Sequence, residues 1–126
     1  MVDNVKHLAL AVSDQERSRR FYESYFGFDA QPSRWYDDGV LMLYNADGFA
    51  LALGPTDEPI KLPVFVHFGI DLPSREAVLA FRDRLVADDV RIVEEWDEAD
   101  YVSVKFADPD GYVVEAAWEP PRATAP

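Results

Sequence analysis

One order of elements is written twice along these 126 residues, and it constrains the fold more than any other feature. Residues 5–12 form an apolar run that reads as a strand. "SDQE" follows, where Ser13 can cap a helix and Glu16 can reach back to it. The helix spans about 14–26, with Phe21, Tyr22, Tyr25 and Phe26 as its apolar face, and Gly27 is placed to end it. Strands are expected at about 29–36, 40–44 and 49–53, punctuated by "DDG" and "NADG". The order then restarts with a strand at 64–70. A second helix, opened by Pro73 and Ser74, runs to about 87 with Val78, Phe81, Leu85 and Val86 on one side. Strands follow at about 90–96, 101–107 and 112–118.

The repeat reaches individual residues. The first half ends "NADGFALAL" and the second "DPDGYVVEA". Aligning Gly48 with Gly111 sets Ala52 opposite Glu115. His7 and His67, the two histidines of the chain, occupy matching places in the first strands of their halves. The expected organisation is a single α+β domain of two tandem βαβββ modules. Module one covers about 1–56, a linker "GPTDEPIKLP" about 54–63, module two about 64–118, and a mobile tail 119–126.

Composition narrows the chemistry. With no cysteine, disulfides and thiolate metal sites are excluded, so any metal must be held by histidine, carboxylate or carbonyl. Nucleic acid and anionic membranes are poor partners for a net charge of −12. No apolar run approaches the roughly 20 residues that span a bilayer, and the N-terminus has no signal-like pattern, so a cytoplasmic protein is expected.

Alternation along the strands sorts side chains into faces. His7 goes with Val5, Ala9 and Ala11, and His67 with Phe65, Gly69 and Asp71. Glu115 goes with Val113 and Ala117, and Ala52 with Ala50 and Gly54. Tyr101, Ser103 and Lys105 share the polar side of their strand. The opposite faces are bulky and apolar and should pack under the helices. Small residues around a histidine and a glutamate leave space for a cavity. His7, His67 and Glu115 together make the ligand set of a facial triad, which leaves positions on a divalent metal open. The plainer alternative makes each histidine a hydrogen-bonded core residue.

On "VKHLALAVSDQERSRRFYESYFGF", "FVHFGIDL" and "FADPDGYVVEAAW", the chain resembles the vicinal oxygen chelate superfamily of glyoxalases, bleomycin resistance proteins and extradiol dioxygenases. The resemblance implies paired modules whose curved mixed sheets form a cup around a divalent ion (Fe, Mn, Ni, Co or Zn) held by His7, His67 and Glu115. It implies an enzyme of lyase/isomerase, dioxygenase or transferase type acting on a small oxygenated substrate. The alternative is a non-catalytic drug- or metabolite-binding protein of the bleomycin-resistance type, which the acidic charge suits. Several departures bear on the choice. Ala52 stands where glyoxalase I-like enzymes carry a fourth ligand. Lys105 stands where the fosfomycin transferases and extradiol dioxygenases have a tyrosine, and no third histidine exists. The acidic "EEWDEAD" would hold a phosphonate poorly. Lys105 and Tyr101 are the candidate acid–base groups, and Trp35, Tyr36, Trp96 and Ser103 the candidate substrate contacts. Chains of this length in the superfamily pair as homodimers, with modules matched within one chain or exchanged between two.

Overall fold

The computed structural model describes residues 4–122. The chain divides into two units, Met1–Lys61 and Leu62–Pro126. The first holds β1 (His7–Val12), α1 (Gln15–Phe26), β2 (Arg34–Trp35), β3 (Leu41–Tyr44) and β4 (Ala50–Pro55). The second holds β5 (His67–Asp71), α2 (Arg75–Ala87), β6 (Ile92–Glu98), β7 (Tyr101–Ala107) and β8 (Val113–Trp118). Their sheets run in the same order, β1-β4-β3-β2 and β5-β8-β7-β6. In each, the first strand pairs in parallel with the last, and the other pairings are antiparallel. The fold is therefore α+β with two mixed four-stranded sheets. No helix among the described residues is long and apolar enough to cross a membrane. The mobile tail expected over 119–126 lies, from residue 123 onward, outside the described residues.

In the first unit α1 packs on β3 and β4, burying Val12, Tyr22, Phe26, Leu41, Leu43, Leu51 and Leu53. In the second α2 packs on β7 and β8, burying Val78, Leu85, Val102, Val104, Phe106, Val114 and Ala116. Val86, expected on the apolar side of α2, is 52% exposed because it lies one position past Leu85 on the helix surface. The two "DG" turns are built alike. The Oδ1 of Asn45 accepts from Asp47 N and Phe49 N at 3.1 and 2.8 Å, and that of Asp108 from Asp110 N and Tyr112 N at 2.9 and 2.8 Å. Gly48 and Gly111 then take φ of 81° and 90°, a region that favours glycine.

Several boundaries move: β1, expected from residue 5, starts at His7, and β6, expected over 90–96, runs Ile92–Glu98. The strand expected over 29–36 shrinks to Arg34–Trp35, because Pro32 cannot donate to a ladder; Asp29 keeps an isolated bridge to Tyr44. The strand expected from residue 64 starts at His67, since Val66 N turns back to Pro63 O at 2.9 Å. Both histidines therefore open their strands. The cap of α1 is Asp14, whose Oδ1 accepts from Arg17 N at 3.0 Å, while Ser13 Oγ accepts from the Arg17 guanidinium at 2.9 Å. Gln15 fixes this start, because its side-chain amide donates to Gly39 O and Leu53 O at 2.8 and 2.7 Å. Glu16 meets Arg19 instead of closing a capping box. Asp14→Ala should accordingly cost about 1 kcal/mol in thermal unfolding, and Ser13→Ala clearly less.

Candidate functional site

Register sets out the polar face of the second unit in rows. One row runs Gly69, Glu115, Lys105, Glu94 across β5, β8, β7 and β6; the next runs Asp71, Ala117, Ser103, Trp96. A bulge in β6 between Ile92 and Glu94 sends Ile92 opposite Phe106 and Glu94 opposite Lys105. Without the extra residue at Val93, these two could not face opposite sides of the sheet.

Hydrogen bonds orient the centre of the face. His67 Nδ1 lies 2.7 Å from Phe65 O. A carbonyl only accepts, so Nδ1 carries a proton, and a metal would be bound through Nε2. Nε2 is 3.8 Å from Glu115 Oε1. The other carboxylate oxygen, Oε2, accepts from Tyr101 OH at 2.9 Å and from Ser103 Oγ at 2.6 Å. Burial pushes the Tyr101 phenol up, with the Glu115 carboxylate adding to the effect, so it remains a neutral donor at ordinary pH. Lys105 is buried and its Nζ donates to Glu94 Oε1 at 3.3 Å. Trp96 Nε1 donates to the same oxygen at 2.6 Å.

The donor chemistry fits a divalent ion. Two ligands bound at about 2.0–2.2 Å to one ion sit roughly 3–4 Å apart, which brackets the His67–Glu115 spacing. The second nitrogen of His67 and the second oxygen of Glu115 are both occupied, as orienting partners around metal ligands are. Among the described residues, no three His, Asp or Glu side chains are gathered into a group that could hold a metal ion.

The matching face of the first unit carries His7, Ala9, Ala11, Ala50, Ala52 and Gly54, joined by Met42 and Tyr44. His7 is exposed there. It pairs with Ala50, and Ala52 follows two residues on; His67 pairs with Val113, and Glu115 follows two residues on. The sheet register thus aligns Ala52 with Glu115, and Ala52 offers no donor.

The aromatic candidates scatter. Trp35 pairs with Leu41, on the face that packs beneath α1, and is half exposed. The Tyr36 hydroxyl lies 3.5 Å from that of Tyr44, and the Arg34 guanidinium sits 4.9 Å from the Tyr36 ring centre. Trp96 is on the same face as Ser103. A cavity of about 290 Å³ is lined by α2, β6 and β7, with Val78, Arg82, Val102 and two of the candidates, Trp96 and Ser103, among its walls; neither His67 nor Glu115 borders it. Sequence reading missed Glu94, Tyr44 and the Phe65 carbonyl. It also missed the close approach of Gly69, where an added Cβ would lie 2.8 Å from Glu115 O and 3.0 Å from its Cβ. The alternation of "EEWDE" about Trp96 was the one signal that pointed to Glu94.

The family model described as the glyoxalase/bleomycin resistance protein/dioxygenase superfamily matches residues 4–116. The chain belongs to this superfamily. The chain is 33% identical over 92 residues to a trivalent organoarsenical cleaving enzyme of Bacillus sp. (strain MD1). That match covers 73% of this chain and 54% of the relative, so the chain spans about half that protein's length. A solved structure of a possible glyoxalase from Bacillus cereus superposes with a TM-score of 0.76 at 28% identity, covering 91% of this chain and 98% of that one. The fosfomycin resistance protein FosX of Listeria monocytogenes, complexed with Mn(II) and sulfate, has the same fold at 19% identity, with a TM-score of 0.76 over 95% of this chain and 93% of that one.

Proposed function

We propose that the protein is a metal-dependent enzyme of its superfamily. In this reading His67 and Glu115, with His7 as third ligand, hold a divalent ion of the Fe, Mn, Ni, Co or Zn group, and a small substrate chelates it through neighbouring oxygens. The observation that carries this is the orientation of one pair: His67 fixed through Nδ1, Glu115 fixed through Oε2, and their remaining donor atoms 3.8 Å apart. When bound, the ion would act as a Lewis acid on substrate oxygen. The chain's own residues do the rest. Tyr101 and Ser103 hold Glu115 in place. The Tyr101 hydroxyl and the Lys105 ammonium are the proton donors on that face, and Trp96 borders it. In the first unit, Tyr36 is the remaining proposed substrate contact. The proposed substrate offers oxygen donors; the chain has no thiol, the soft ligand that trivalent arsenic favours. FosX, named with Mn(II), supports a divalent ion.

The net charge of −12 favours a second reading, sequestration of a cationic compound without turnover. Metal analysis of the purified protein separates the two. A stoichiometric ion removed by chelation is expected; no ion, together with tight binding of a cationic drug, would replace the enzyme with a binding protein. The proposal includes a homodimer, and a monomer in sedimentation of the same preparation would remove that part.

A further inference from the structure

We propose that Glu94 is a specificity residue that cancels the charge of Lys105 and so keeps doubly charged oxyanions, phosphate and phosphonate among them, off the face that carries Glu115. This rests on the reading of that face as the substrate site. The argument begins with the bulge. It brings Glu94 opposite Lys105, although Ile92 just before it turns to the helix side. One oxygen, Oε1, then accepts from both the Lys105 ammonium at 3.3 Å and the Trp96 indole at 2.6 Å. The indole bond matters because it holds the carboxylate in place beside the cation.

Exposure gives the order of approach. The Lys105 side chain is 11% exposed and that of Glu94 39%, so the carboxylate lies on the solvent side of the ammonium. An anion arriving from water meets Glu94 first. The hydrogen bond from Trp96, followed by that from Lys105, holds the Glu94 carboxyl below the usual carboxylate range, so it is ionised at neutral pH. Lysine without a counter-ion on this face would be an anion site. Lysine with this one has its charge balanced but keeps donors in hand, since an ammonium carries three N–H groups and this bond uses one. Such a group suits a neutral or singly charged substrate whose carbonyl or hydroxyl oxygen needs a hydrogen bond. A dianion reaching Lys105 would have to sit against the Glu94 carboxylate.

The test is calorimetric titration with inorganic phosphate, on protein as purified and after chelation. The chains are wild type, Glu94→Gln, Glu94→Gln with Lys105→Met, and Glu98→Gln as a charge-matched control on the same strand. Glu94→Gln should bind phosphate roughly tenfold or more tightly than wild type, because a charge-assisted bond becomes available. The gain should vanish with Lys105→Met, and Glu98→Gln should stay near wild type. No gain, an equal gain in Glu98→Gln, or a gain that survives loss of Lys105 would each overturn the proposal. Metal content of the same samples reports on the metal centre separately. A Lys105-dependent gain in protein that never holds metal would sustain Glu94's role and remove the proposed metalloenzyme.

Discussion

Glu115→Ala is expected to reduce divalent-metal affinity well beyond the roughly 10–100-fold that loss of an orienting partner costs. The reason is the division of labour on the carboxylate. Oε2 is taken by Tyr101 and Ser103, so Oε1 is the atom left to bind, and it faces His67 Nε2. Tyr101→Phe and Ser103→Ala remove one orienting bond each and should each fall within that smaller range. Competition with a chromophoric chelator reads all three. In the metal-free protein Glu115→Ala should also cost about 1–3 kcal/mol, because the Ser103 hydroxyl, on a residue 2% exposed, loses its acceptor. Equal metal affinity in Glu115→Ala and wild type would leave the carboxylate a purely structural hydrogen-bond acceptor.

Gly69→Ala should destabilise the second unit by about 1–3 kcal/mol, the usual cost of forcing a group into filled space. The new Cβ would lie 2.8 Å from Glu115 O and 3.0 Å from Glu115 Cβ, and the first of these is backbone in a paired strand. Relief must come from a shift between β5 and β8, the strands that carry His67 and Glu115. Metal affinity should therefore fall along with stability. Gly54 supplies the contrast. A Cβ there meets only Leu10 O at 4.0 Å, so Gly54→Ala should be neutral or stabilise by up to about 1 kcal/mol. Urea denaturation of both variants, with metal titration, separates the outcomes. A neutral Gly69→Ala would mean that β5 and β8 can slide apart freely.

Much of this was legible in the chain because it rests on local rules. Two helices with buried faces, two "DG" turns and the alternation that groups Tyr101, Ser103 and Lys105 each depend on neighbours a few residues away. The sheet register bears out the alignment of Ala52 with Glu115. What escaped depends on partners distant in sequence. Asp14 takes the cap because Gln15 is anchored to Gly39 and Leu53. Gly69 reads as a small residue on a polar face until β8 is laid beside it. The bulge at Val93 exists only relative to β7, and a strict period of two would put Ile92 on the same face as Glu94.

That bulge has a second effect at the margin of its sheet. β6 is an edge strand, and an edge offers unpaired backbone groups to any other chain. Irregular pairing at Ile92–Glu94 spoils the template at one end, and exposed charges at Glu95, Asp97 and Glu98 occupy the rest. Arg82 and Arg75 hold Glu95 and Asp97 in place by ion pairs. The acidic run therefore resists strand-to-strand aggregation, and at high protein concentration it should help keep folded chains from growing into continuous sheets.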